Sequence, residues 1–361
     1  MRKNGQIEFW DLNTAELWWR DRGDVLKQHG YMLRPRYRVG WKPSWLDTGD
    51  NVMDAEDGVN ISVRTMDATR ISDGSLVMLK KVSRLTSEIS IAQYLSEPEI
   101  RRCPENHCVP VLDRFPAEAD PNIDIIVMPF LFRLNEPRFE AVDQVLDFIR
   151  QTLDGLAFMH AKNVAHRDCA FNNIMHDGIQ LYPDGVHPVS RRMNSAYTEY
   201  ARTLRRADIP TIKYYFTDFG LSTHFKDPNQ PRLVRGDVAA DRDVPEISNI
   251  VPYDPFRVDI FTLGNVYKKE FLDRYSNLEF IRPLVSEMMQ RNPLERPTAE
   301  EARDRFRFLL REIPWYKRAW RLQTARETNR QRIAKDLHFV TGYTISTLWR
   351  FIGEPVICPS S

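Results

Sequence analysis

The sequence predicts an α+β fold of two lobes, a small β-rich lobe followed by a larger helical one. Short aliphatic and β-branched runs crowd the stretch from Val59 to Met128, bounded by turn-forming residues. From Val142 the apolar spacing becomes helical, with Val145, Phe148, Ile149, Leu153, Leu156 and Met159 on one side. Strands early and helices late is the order expected when a β lobe sits on an α lobe. The 361 residues, 42% of them hydrophobic, can bury one large core or two lobes around a cleft.

Taken in order, residues 1–49 form an aromatic, basic leader. Asn13 followed by Glu16 reads as a capping box that opens a helix to about His29, ended by Gly30. Arg34, Arg36 and Arg38 then interleave with Tyr37, Trp41 and Trp45, which suits either a phosphate-binding surface or an extension wrapped on the β lobe by cation–π contacts. The net charge of +1 gives no support to a polyanion surface and favours the wrap. Strands follow over Val59–Met66 and Ser75–Val82, separated by the Asp73-Gly74 turn. A short helix over Ser87–Ser96 stops before Pro98, and His107–Asp113 and Ile123–Met128 read as two more strands. The long helix covers Val142–Lys162. An insertion at about 176–213 holds a Pro183-Asp184-Gly185 turn and a basic helix over Ser195–Ala207. The tail, 313–361, begins with Trp315, Tyr316 and Trp320 and continues as an Arg-rich helix that packs back on the large lobe.

Several classes are disfavoured. No apolar run reaches the length of a membrane span, and Met1-Arg2-Lys3-Asn4-Gly5 leads into charged residues rather than a signal core. Cys103, Cys108, Cys169 and Cys358 lack a staple-like spacing, and no second cluster completes Cys103-x4-Cys108 with His107 as a zinc site. Ordinary thiols in a reducing, intracellular setting, cytoplasmic or nuclear, are expected, with no nucleic-acid partner. The oligomeric state is not legible.

The strongest signal is His166-Arg167-Asp168-Cys169-Ala170-Phe171-Asn172-Asn173, followed by Asp218-Phe219-Gly220. Asp168 supplies an acceptor for a hydroxyl proton, and Asn173 and Asp218 supply oxygen ligands for Mg²⁺, which is what phosphoryl transfer from ATP requires. Downstream stand Val244-Pro245-Glu246, the helical run Asp259 to Gly264, and Arg296-Pro297-Thr298. Together and in this order, over roughly residues 50–312, these motifs resemble the protein kinase superfamily. The runs Met78-Leu79-Lys80 and His166 to Met175 also resemble a kinase-like family multiplied in mushroom-forming fungi.

The resemblance implies a small lobe over about 50–131 and a large lobe over about 132–312. It implies that Lys80 grips the α- and β-phosphates of ATP and pairs with Glu88, which stands eight residues on in the first turn of its helix. Met128 guards the back of the adenine pocket, and Phe130 and Leu131 belong to the hinge. Asp168 orients the acceptor, Asn173 and Asp218 hold Mg²⁺, and Arg167 organises the activation segment. His166 reads as a packed core histidine. Glu246 and Arg296 form a buried pair, and the Asp259 side chain anchors the catalytic loop.

The chain departs from the family pattern in three places. The glycine-rich window falls at Gly58-Val59-Asn60-Ile61-Ser62-Val63, where only Gly58 survives, so backbone approach to phosphates is hindered. Ala170 and Asn172 leave the catalytic loop without its cation, with Arg191, Arg192, Arg205 and Arg206 as candidate substitutes. The activation segment has no Ser, Thr or Tyr between Thr223 and Ser248, which points to Asp237, Asp241 or Asp243 as the partner of Arg167 in place of a phosphate. The expected function is a Mg-ATP-dependent protein kinase acting on a protein hydroxyl. A pseudokinase scaffold and a small-molecule kinase are the rivals, separated by nucleotide binding and by transfer to protein against small alcohols.

Overall fold

A computed structural model describes residues 11–43, 62–227 and 229–352, the last helix by its backbone alone after Thr341. Among them run α1 (Thr14–Arg20), α2 (Gly23–Gln28), β1 (Tyr31–Met32), β2 (Thr65–Arg70), β3 (Leu76–Ser83), α3 (Glu88–Leu95), α4 (Pro98–Arg101), β4 (Asp113–Pro116), β5 (Ile123–Pro129) and β6 (Phe132–Arg133). These are followed by α5 (Val142–Ala161), β7 (Val164–Ala165), β8 (Ile174–His176), β9 (Tyr214–Phe216), β10 (Thr223–His224), β11 (Val234–Gly236) and β12 (Ser248–Tyr253). The remaining helices are α6 (Pro255–Tyr267), α7 (Arg282–Met288), α8 (Ala299–Glu312), α9 (Trp315–Arg318) and α10 (Asn329–Ile352). The fold is α+β: an antiparallel five-stranded sheet, in the order β1-β2-β3-β5-β4, precedes a helical body.

Strand alternation decides what the sheet buries. Val77 and Leu79 of β3, Met66 and Ala68 of β2, and Ile125 and Val127 of β5 point to one face. That face packs on Trp19, Leu26, Tyr31, Leu33 and Tyr37 from the N-terminal segment. Residues 13–41 therefore build the back of the sheet and, through β1, its edge. The capping box forms as expected: the Asn13 side chain accepts from the Glu16 amide, and Glu16 accepts from the Asn13 amide. The helix divides at Arg22, before Gly23, where helix propensity is low. Three of the leader's arginines, Arg22, Arg34 and Arg36, are committed inside the fold. Arg36 donates to buried Glu16 at 2.9 Å, Arg34 to Asp67 at 2.7 Å, and Arg22 lies 3.8 Å over the Trp18 ring.

β3, β5, α3 and α5 match the expected segments to within about a residue, and Gly74 turns the β2–β3 hairpin at a φ of 71°. Three expectations change. The strand before that hairpin is Thr65–Arg70; Val59, Asn60 and Ile61 lie outside the described residues. The run from His107 enters a ladder only at Asp113, because Pro110 lacks an N–H; upstream, Cys108 makes a single bridge to Phe216. The basic helix over Ser195–Ala207 is absent. Asn194 instead closes a turn by accepting from the Thr198 amide, Met193 bridges Tyr200, and only Arg206–Asp208 coils.

The helical body packs α5 against α8 and β9, with α6 wholly buried from Val258 to Tyr267. A strap at residues 320–325 stitches it: the Val142 amide donates to Trp320 O, and the Leu322 amide to Glu140 O. In α10 the Arg321–Asp336 pair at 2.6 Å is a contact with the strap, but Ile333 and Leu337 are each 62% exposed, so this part of the tail does not pack back as expected. Among the described residues no helix is long and apolar enough to cross a membrane.

Two buried histidines give the fold an acid sensitivity. Burial pushes His107 down to about 4, and burial together with the Arg206 charge pushes His176 down to about 3. In the folded chain His176 Nδ1 accepts from the Gly178 amide and Nε2 faces Glu136 O, an arrangement for the neutral ring. From pH 6.5 down to about 4 the unfolded state holds protons that the folded state refuses, so stability falls as pH falls. Each histidine is expected to remove on the order of 2 kcal/mol between pH 6.5 and 5. Urea midpoints at pH 7.5, 6 and 5 test this; a flat profile overturns it.

Candidate functional site

The site lies where the sheet meets the helical body. Lys80 points from the β3 face opposite the N-terminal core, and its cross-strand neighbours are Thr65 and Ile126. Its ammonium group donates to Glu88, the first residue of α3, and to Asp218 Oδ1 at 2.9 Å. Lys80 and Glu88 are buried, while the Asp218 side chain is 47% exposed. Burial alone would raise the Asp218 carboxyl; Lys80, with help from the Gly220 amide, outweighs it and holds the group below the usual carboxylate range. Asp218 sits in a left-handed conformation, φ 63°, and its Oδ1 accepts from the Gly220 amide. A Cβ on Gly220 would stand 3.0 Å from that oxygen and 3.4 Å from Glu88 Oε2, so glycine lets these carboxylates converge on Lys80.

The loop 166–173 connects β7 to β8 and is held from below by Asp259 of α6. This wholly buried carboxylate accepts from the amides of His166 at 2.8 Å and Arg167 at 2.6 Å, and from His160 Nε2 at 3.0 Å. The three bonds hold Arg167 at a φ of 68°, a strained conformation for a side-chain-bearing residue. Within the loop Asn173 Nδ2 donates to Asp168 Oδ2 at 2.7 Å and to Asp168 O. His166 is fully buried, 5.2 Å from the Phe219 ring, with burial pushing its pKa down; it packs, as expected.

The predicted residues separate into those brought together and those placed elsewhere. Lys80, Glu88 and Asp218 form one charged cluster, and Asp168, Asp218 and Glu88 line one cavity of about 740 Å³. Met128 pairs with Met78 across β3 and β5. The Phe130 and Leu131 side chains are buried in the core. Gly58 lies outside the described residues. The Glu246–Arg296 pair forms, with Arg296 Nη2 2.9 Å from Glu246 Oε2.

Two expectations fail on geometry. Arg167 meets no carboxylate among the described residues. It donates to Leu221 O, to Arg235 O and to the Tyr253 hydroxyl, while Asp241 and Asp243 are taken by Asn265 and Lys269 and Asp237 offers only its carbonyl, to Arg242. Arg191, Arg205 and Arg206 are also committed away from Asp168, to Glu136, to Asp208, and to Leu134 O and Pro137 O. Arg192 lines a different cleft, with Met78 and Met175. Sequence reasoning missed the Ala240 amide, which donates to Asp168 Oδ1 at 2.9 Å; a backbone donor leaves no residue-type signal.

The donor set suits a hard cation. Asn173 donates through its nitrogen to Asp168, which turns its oxygen away from that bond, and Asp218 spends only Oδ1 on Lys80 and Gly220. One amide oxygen and one half-exposed carboxylate are too few for a cage made of protein alone, but they match Mg²⁺, which completes its shell with phosphate oxygens and water.

No family model matches the chain. A 64-residue stretch, 17% of the chain, is 47% identical to the serine/threonine-protein kinase A-Raf of Mus musculus and of Rattus norvegicus, and 39% identical to that of Homo sapiens. The chain spans about a tenth of the length of these curated relatives, 10% in each case. The similarity is local, and it is to a kinase.

Proposed function

We propose that the chain is a bilobal, protein kinase-like enzyme that binds Mg-ATP and transfers its γ-phosphoryl group to a protein hydroxyl, of Ser, Thr or Tyr. The observation that carries the reading is the convergence on Lys80 of Glu88, eight residues on, and of Asp218, 138 residues on, beside a loop whose Asp168 and Asn173 are bonded to each other. The local A-Raf similarity supports it, and the likeness to the fungal kinase-like family rests on the quoted residues alone.

In this reading Lys80, fixed by Glu88, orients the α- and β-phosphates. Asp168 accepts the hydroxyl proton as the acceptor oxygen bonds to the γ-phosphorus and the bond to the β–γ bridging oxygen breaks, releasing ADP. Asn173 and Asp218 would hold Mg²⁺, which would supply charge neutralisation to the phosphates. Asp259 keeps the loop in place, and neutral acceptors order Arg167, so the active arrangement needs no phosphate on the segment. A scaffold without turnover is favoured by one observation: Arg191, Arg205 and Arg206 of the insertion are committed to other partners and do not replace the cation missing at Ala170.

Thermal unfolding with ATP, with and without Mg²⁺, tests the reading alongside Asp218→Ala. At about a hundred times Kd, ligand is expected to add roughly 2.7 kcal/mol of stability, dependent on Mg²⁺ and lost in the variant. No shift at millimolar nucleotide overturns nucleotide binding. A shift without transfer to protein substrates leaves the scaffold.

A further inference from the structure

The insertion after β8 is placed where a ligand would meet it. A cleft of about 990 Å³ has Thr65, Asp67 and Met78 on its sheet side, Met175 of β8 on the opposite side, and residues from Pro188 to Tyr200 along its outer side. Thr65 and Met78 share the β2–β3 face that carries Lys80, so the cleft runs along the same face as the charged cluster. The insertion is fastened there. Arg191 reaches Glu136 Oε2 at 2.6 Å and lies over the rings of Phe130 at 5.4 Å and Phe132 at 5.3 Å, in the segment that leads out of β5. Within the insertion the His187 amide donates to Met193 O and the Ala201 amide to Arg192 O. At its far end buried Arg206 donates to Leu134 O and Pro137 O.

We propose that residues 188–200 form the outer wall of the nucleotide site, with Arg191 as the positioning residue that holds the wall against the hinge. The inference rests on the ATP-binding reading above. A purine nucleoside lying between Met78 and Met175 presents its outer edge to this segment, which removes water from that side and adds contacts along it. The window from Gly58 to Val63 keeps a single glycine of the family pattern, and the wall shifts binding energy toward the base and ribose. Its contribution is therefore common to adenosine and ATP, whereas that of Lys80 belongs to the phosphates.

Calorimetric titration of the full chain with Mg-ATP and with adenosine tests this, using wild type and Arg191→Ala. Both dissociation constants are expected to rise about tenfold, the loss of a pocket contact or two. Arg191→Lys, which keeps the charge but not the planar stack, is expected to fall between them. A second variant, residues 189–200 replaced by a short Gly-Ser link, removes the wall outright. Unchanged affinities there, or a loss confined to ATP, overturn the proposal while leaving nucleotide binding intact. Failure of wild type to bind either probe overturns the nucleotide reading itself, and the wall with it.

Discussion

An Arg296→Ala protein is expected to lose about 3–5 kcal/mol of folding free energy, the cost of breaking a buried charge pair from one side. The side chain is fully buried and is the hub of its region. It donates to both oxygens of Glu246, to Gln290 O at 2.7 Å and to Arg257 O at 2.8 Å, and lies 4.8 Å over the Phe261 ring. Alanine leaves the carboxylate and both carbonyls without their donor. Arg296→Lys is expected to recover only part, because an ammonium group cannot fork across a carboxylate. A denaturant midpoint within error of wild type would show that Glu246 finds water or another donor, and would sink the prediction.

Asp168→Asn is expected to lower turnover about 10²–10⁴-fold with little change in ATP affinity, since the acceptor of the hydroxyl proton is lost but no nucleotide contact is. The carboxylate spends Oδ2 on Asn173 and Oδ1 on the Ala240 amide. An asparagine offers one oxygen to these two donors, so one loses its acceptor; because the bond to Ala240 lies at the exposed surface, the penalty in stability is small. Single-turnover transfer to a protein substrate separates this from a binding defect. Wild-type rates in the variant would remove Asp168 from the chemistry.

Much of this was legible because it was local. A side chain and an amide three residues apart define the Asn13–Glu16 cap, period-2 and period-3.6 patterns define β3 and α5, and Glu88 follows Lys80 closely enough for one strand, turn and helix to bring them together. The Glu246–Arg296 pair is distant in sequence and was reached only through the ordered motifs around it. What was not legible depends on tertiary placement. Tyr31 and Met32 are too short a strand to show a period, yet they pair with Thr69 and Arg70. The arginines of the insertion read as free cations because sequence does not show that Arg191 meets Glu136 or that Arg206 is buried among carbonyls. Gly58 and its neighbours, where the pattern departs furthest, lie outside the described residues.

The way the chain is sewn together also sets an order on its assembly. The core behind the sheet draws every buried member from Trp19 to Val127, so it can close once the first third of the chain has left the ribosome. The helical body has to wait. Its strap joins Glu140 and Val142 to Leu322 and Trp320, pairings about half the chain apart, and such non-local contacts slow folding. During synthesis the sheet stands complete beside an unfinished partner. Part of the face that carries Lys80 and Met78 is covered only by later residues, among them Met175, the segment 188–200 and Asp218, so the sheet waits on chain made well after it.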